Sequence, residues 1–220
     1  NIKKFDGYFH NLIWMMKINA ESGNKMNLYF IPTVTSNRFD SSINKDCMYT
    51  RKIFSLAKSM SHRVGIHPGY NTYKDEEKLQ RSVNEFKDIL SDFGVSHQKI
   101  ISRQHYLKFD VAITALLYDK VGIHFDSSIG SSEISGFRSG ICYEYNLYDL
   151  KKRKELLLRE LPLITMENSI LKGQSTKKIL RKFKRYEDIC RLFNGNYTLL
   201  WHNSSFGQSR YKKIYQEIVS

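Results

Sequence analysis

Five short apolar runs in this chain each end on a side chain that can bind a metal or move a proton, and that recurrence constrains the fold more than any single motif. Val64-Gly65-Ile66 leads to His67, after which Pro68 and Gly69 stop the run. Residues 98–102 lead to Arg103 and His105, residues 120–125 to Asp126, residues 161–166 to Glu167, and residues 197–201 to His202. Stretches of helical periodicity separate most of these runs, as parallel neighbours require, because a parallel connection must cross back over the sheet. The pattern predicts an α/β fold whose parallel strands deliver their C-terminal residues to one face and so to one pocket.

The connecting helices are legible from their stripes. Residues 8–22 place Tyr8, Leu12, Met15, Met16 and Asn19 on one side, and Gly23 closes the helix. A strand is expected over residues 26–34, a polar loop over 37–46, and a helix capped by Thr50 running to Met60. Asp75 opens a helix with the stripe Leu79, Val83, Phe86, Leu90 and Phe93, stopped by Gly94. Asp110 caps a helix over 111–118, residues 156–166 read as one extended apolar segment, and helices follow over 175–193 and 211–219. Residues 127–135 are a Ser/Gly-rich loop ahead of Gly136-Phe137-Arg138-Ser139-Gly140. Glycines flanking an arginine allow close backbone approach to a ligand, with Arg138 as partner to an anion or carboxylate.

With 220 residues, 41% of them hydrophobic, and no Pro/Gly/Ser-rich linker, residues 1–220 read as a single domain with a sizeable core. No apolar run approaches the roughly 18 residues of a membrane span. Cys47, Cys142 and Cys190 are widely scattered in sequence, which fits a reducing compartment and a cytoplasmic setting better than a disulfide scaffold. The net charge of +13 lies largely in two runs, residues 151–154 and 177–185. The second falls on an amphipathic helix with only Phe183 among its bases, at a core position. It therefore reads as a solvated outer face and not as the aromatic-studded surface of a nucleic-acid binder.

Taken together, the strings around these strand ends resemble the polysaccharide deacetylase family, the NodB-homology carbohydrate esterases. His62-Arg63-Val64-Gly65-Ile66-His67 is similar to the motif in which a strand leads to the first metal histidine. Arg103-Gln104-His105-Tyr106-Leu107 sits where the family carries its arginine motif, Asp126 where it carries its fourth motif, and Leu200-Trp201-His202-Asn203 where it carries a leucine-histidine motif. With His67-Pro68-Gly69-Tyr70 and Gly136-Phe137-Arg138, these strings look like a subgroup found among bacterial surface-polysaccharide genes. The resemblance covers about residues 27–206 and implies a distorted (β/α)7 barrel with a divalent metal, usually zinc, held by an aspartate and two histidines.

Two departures shape the expectation. The family's second metal histidine falls four residues after the first, where this chain has Asn71, a poor zinc ligand, so His105 is the expected substitute. The family's first strand ends in an Asp-x-Asp pair that supplies the catalytic base and a ligand, and nothing ahead of residue 26 has that form. The expectation is a barrel lacking its first strand, whose missing piece lay upstream of Asn1, with weak or absent metal. The implied chemistry is removal of N-acetyl groups from a carbohydrate. His67 and His105 would hold the metal, and His202 would be the general acid, oriented by Asp126 or Glu167. Arg103 would steady a carboxylate, and Tyr70 and Trp201 would offer faces to a sugar ring. The other reading is an inactive glycan-binding domain of the same fold.

Overall fold

The structure is a computed structural model and describes residues 2–95 and 99–220; Gln98, the expected first residue of the second of these runs, lies outside them. Helices and strands alternate as the pattern requires: α1 (Ile2–Glu21), β1 (Asn27–Phe30), α2 (Met48–Ser59), β2 (Arg63–Ile66), α3 (Glu76–Asp92), β3 (Ile101–Ser102), α4 (Thr114–Lys120) and β4 (Phe125–Asp126). A hairpin of β5 (Tyr145–Asp149) and β6 (Lys154–Glu160) comes next. The chain ends in β7 (Thr165–Met166), α5 (Asn168–Leu171), α6 (Thr176–Leu192), β8 (Leu199–Leu200) and α7 (Ser209–Val219).

The six-stranded sheet has the order β1-β2-β3-β4-β6-β5, parallel except for β5 at its edge, and β7 and β8 form a separate parallel pair. This is a mixed α/β fold with a mostly parallel sheet. The expected barrel is not drawn as one continuous ladder. Among the described residues β1 and β8 each pair on one side only, and β6 has β5 as its outer neighbour. The single extended segment expected over 156–166 is two strands, because Pro162 has no N–H to give a ladder and falls in the break between β6 and β7. The basic run at 151–154 makes the hairpin turn and the first residue of β6, and the Asp149 carboxylate accepts from the amides of Lys151 and Lys152.

Local signals explain most helix ends. Asp75 and Ser175 cap α3 and α6, accepting from the amides of Lys78 at 3.0 Å and Lys178 at 3.4 Å. Thr50 does not cap α2, which starts at Met48 and buries Thr50 in its first turn. Asp110 accepts from the Ala112 amide, but the α-helix proper starts only at Thr114. The bases of residues 177–185 are exposed on α6 while Ile179 and Phe183 are buried beneath them, so that run is a solvated face. No helix among the described residues is long and apolar enough to cross a membrane.

Two apolar clusters build the core. The larger joins α2, α3 and α4 to the six-stranded sheet through Phe54, Leu79, Val83, Phe86, Tyr118, Val64 and Ile66. The smaller packs α5, α6 and α7 with Trp201 beside β8. The neighbours Met15 and Met16 of α1 each enter a different cluster, so this one helix stitches both together. Asn19 adds a buried hydrogen bond, donating to the Tyr215 hydroxyl at 2.9 Å. Cys142 and Cys190, far apart in sequence, meet as free buried thiols against Ile164.

Gly65 in β2 is demanded by packing. A Cβ there would lie 2.6 Å from Ile101 Cγ1, 2.7 Å from its carbonyl oxygen and 2.8 Å from Tyr29 Cδ1. The space left by its missing side chain admits the Tyr29 ring, over which the Arg103 guanidinium lies 4.8 Å from the centroid. Gly65→Ala is expected to lower the stability of the chain by about 1–3 kcal/mol, the cost of overpacking a close-packed site. Urea unfolding of the variant beside the wild type measures it, and an unchanged midpoint would show that the Tyr29–Ile101 contact yields freely.

Candidate active site

In-register parallel pairing sets out the site. Phe30 pairs with Ile66, Ile66 with Ser102, Ser102 with Asp126, and Asp126 with Glu160, so the strand ends are level. His67 and Arg103 are the next residues along β2 and β3. Their amides continue the ladder, bonding to the carbonyls of Phe30 at 2.7 Å and Ile66 at 3.1 Å.

The His67 Nδ1–H donates to the Arg103 carbonyl at 2.5 Å, which leaves its Nε2 as a lone pair. That Nε2 lies 2.9 Å from His105 Nδ1, and His105 Nε2 lies 3.0 Å from the Phe39 carbonyl. A carbonyl only accepts, so His105 must carry its proton on Nε2. Its Nδ1 then either bears a second proton or turns a lone pair onto that of His67. The gap between the rings is therefore a place for a cation, whether proton or metal. Desolvation, and after it the neighbouring His105, pushes the His67 imidazole down to about 3, against the pull of the Arg103 carbonyl. His67 is neutral, as a metal ligand must be.

Asp40 stands behind this pair, 3.9 Å from His105 Nε2, with its side chain buried. It accepts from the amides of Thr35, Ser36 and Tyr70 and from the Thr35 hydroxyl. Burial alone would raise its carboxyl, but these bonds hold it below the usual range, so it is an anion. Sequence reasoning passed over Asp40 as part of a polar loop. No local signal marked it, since it lies in the loop between β1 and α2 and gains its role from its neighbours in space. Gln104 was also missed: its side-chain amide donates to the carbonyls of Pro68 and Gly69 and its oxygen accepts from the hydroxyls of Tyr118 and Thr72. Fully buried and satisfied, Gln104 ties the loop after β2 to β3 and α4.

From the other sheet, β7 and β8 deliver Glu167 and His202. The buried Glu167 carboxylate accepts from His202 Nδ1 at 2.5 Å and from the Ser205 hydroxyl at 2.9 Å, while half the His202 side chain is exposed. Glu167, not Asp126, orients this imidazole, which leaves Nε2 for a ligand. His202 is near enough to His67 to be felt electrostatically, and Leu107, beyond His105, packs against Leu163, Met166 and Leu200. The ends of β2 and β3 thus face those of β7 and β8.

Five expected site residues have other partners. Asp126 is inside β4 and meets Glu160 of β6; it is bound by the Ser128 amide and hydroxyl, each at 2.9 Å. Arg138 donates to the Gly130 carbonyl at 2.5 Å and pins its own loop. Trp201 is buried among Phe206 and Tyr215 and has no face for a sugar. Tyr70 has the Lys108 ammonium 3.5 Å from its centroid and Phe39 stacked at 4.2 Å, so it is a support and not a platform. Arg103 is buried, donating to the Ser127 carbonyl and hydroxyl, and exerts its charge on both Asp126 and Glu160. Asn71 turns away to donate to the Thr35 carbonyl.

No family model matches the sequence, and no curated protein matches it. Among solved structures, the fold is similar to that of a Mycobacterium smegmatis protein provisionally named a polysaccharide deacetylase. The TM-score is 0.63 at 13% sequence identity, over 97% of this chain and 70% of that one.

Asp126 and Glu160 make a testable electrostatic statement. Burial lifts the Asp126 carboxyl to about 6 against its bonds to Ser128. Burial first and then Asp126 raise Glu160 well above the carboxylate range. Below about pH 3 both are protonated in folded and unfolded chains alike and contribute nothing. As pH climbs, the unfolded chain loses both protons while the folded chain retains one, so stability falls. Glu160→Gln keeps the shape and the bond from the Ile129 amide, so it should match the wild type near pH 3 and exceed it at pH 8 by about 1–3 kcal/mol. Thermal melts of both proteins across that range check it, and parallel pH curves would refute the shared-proton account.

Proposed function

We propose that this chain is a carbohydrate-active domain that removes N-acetyl groups from a sugar, with the histidine pair as a divalent-metal site and His202 as general acid. The observation that carries this reading is the meeting of two imidazole constellations from two sheets: His67 with His105, and His202 with Glu167. The similarity of fold to a protein with a polysaccharide deacetylase name supports the substrate class, and the facing strand ends support a barrel-like arrangement.

The donor chemistry fits a divalent cation such as zinc in part. Two imidazole lone pairs converge, but among the described residues no group of three or more His, Cys, Asp or Glu side chains is placed to hold a metal. A bound cation would supply Lewis acidity at the acetyl carbonyl and at water. The remaining work falls to the chain itself. Glu167 fixes His202 through Nδ1, so protonated Nε2 can pass its proton to the departing sugar nitrogen as the carbon–nitrogen bond breaks. Asp40 is not the base, because both its oxygens are already engaged; its negative charge favours a cation at the histidine pair.

An inactive glycan-binding domain is the second reading, favoured by the two-ligand donor set. The free thiols Cys142 and Cys190 suit a reducing, cytoplasmic setting. In an assay that follows acetate release from an N-acetylated oligosaccharide, His202→Ala should lower turnover by roughly two to four powers of ten, the range for a positioned acid. Metal content, measured by equilibrium dialysis, should not change. His67→Ala should lose metal and turnover together. A His202→Ala protein that sheds its metal would make His202 a ligand, and glycan binding without acetate release by the wild type would favour the second reading.

A further inference from the structure

Tyr106 is a large aromatic side chain held in water at the mouth of the site by a backbone that L residues avoid. The residue is 62% exposed, and Tyr106 and Leu107 have φ of 58° and 53°, two successive side-chain-bearing residues in the left-handed region. Ser61, Arg153 and Asn194 also have positive φ, but each stands alone. Leu107 accounts for its own half of the distortion by reaching the cluster around Leu163, Met166 and Leu200. Tyr106 gains no such burial.

What the ring does gain is a fixed orientation. It meets the His105 ring at 4.7 Å and 80°, the Tyr70 ring at 5.4 Å and 89°, and the Phe39 ring at 5.4 Å and 69°. These edge-on contacts hold the ring while most of its surface stays open. Tyr70 is covered by Lys108 and Phe39, and Trp201 is buried, so neither can offer an open face. The C–H face of a pyranose is complementary to the electron-rich face of an aromatic ring. Backbone distortion retained beside a reactive group is a common mark of a functional position.

We infer that Tyr106 is the platform on which one sugar ring of an oligosaccharide stacks, directly beside the His67–His105 pair, and that it fixes where along a glycan chain the site acts. This rests on the carbohydrate reading above. Glycine takes a φ near 58° without strain, so Tyr106→Gly removes the ring and relieves the backbone together, and it should unfold no earlier than the wild type.

The test titrates a panel of N-acetylated oligosaccharides, the tetramer of N-acetylglucosamine among them, into wild type, Tyr106→Phe and Tyr106→Gly, with saturation-transfer NMR reading which protein ring protons receive magnetisation from the sugar. Tyr106→Phe should bind as the wild type does, and Tyr106→Gly should bind about tenfold more weakly, the effect of one stacked ring. Equal binding by wild type and Tyr106→Gly overturns the platform and leaves the deacetylase reading intact. Equal loss in the Phe and Gly variants also overturns it, since the hydroxyl and not the ring face would then carry recognition. Failure of the wild type to bind any member of the panel overturns the platform and the carbohydrate reading together.

Discussion

Level parallel register is the constraint from which the site follows. Ile66, Ser102, Asp126 and Glu160 stand in one row across β2, β3, β4 and β6, and all four are fully buried. Side chains alternate faces along a strand, so the residue after each row member points the other way. His67 is such a residue, and that alternation carries it out of the row and towards the site, whereas Arg103, at the same position on β3, is held by Ser127. One ladder thus sorts its strand ends into a structural set and a reactive set.

The structural row brings its own cost, since it sets two carboxyls side by side in the interior. Arg103 answers that charge from the adjacent row, acting on both Asp126 and Glu160 while its hydrogen bonds go to Ser127. Its position depends on Tyr29 beneath it, and the Tyr29 ring fits only because residue 65 has no side chain. A glycine in mid-strand thereby bears on a buried ion cluster through Tyr29 and Arg103. Buried charges of this kind are retained only when partnered, which is why this arginine has no freedom left to meet a ligand.

Much of this was legible in the sequence, and what was not had particular causes. Periodicity located α3 and α6 and the residues at which they open, Asp75 and Ser175, because both act through purely local hydrogen bonds. The strand-end rule singled out His67, His105, Glu167 and His202, which the fold sets in two hydrogen-bonded pairs. It misplaced Asp126, which is itself the last residue of β4, because a strand end read one residue early reverses the face on which the side chain stands. Trp201 was read as open because an apolar residue before a histidine looks the same in sequence whether a helix covers it or not; Tyr215 of α7 and Phe206 cover it. The β5–β6 hairpin was missed because a run of four basic residues looks like a charged surface, and only pairing reveals it as a turn. Asp40 was missed because its interest comes from what lies beside it in space.

The site lies on a seam and not within one sheet. His67 and His105 follow strands of the six-stranded sheet, whereas Glu167 and His202 follow those of the β7–β8 pair, and among the described residues no strand-to-strand ladder joins the two. What holds them together is packing: α1 contributes Met16 to one core and Met15 to the other, and Leu107 crosses to Met166 and Leu200. Packing of this kind is short-ranged and nearly all-or-none, so the two constellations keep a fixed separation only while both contacts are intact. The strained loop that carries Tyr106 is also the loop that carries Leu107. The residue that closes the seam and the residue that faces the ligand are therefore neighbours in the chain, and the backbone distortion they share couples the reach of one to the seating of the other.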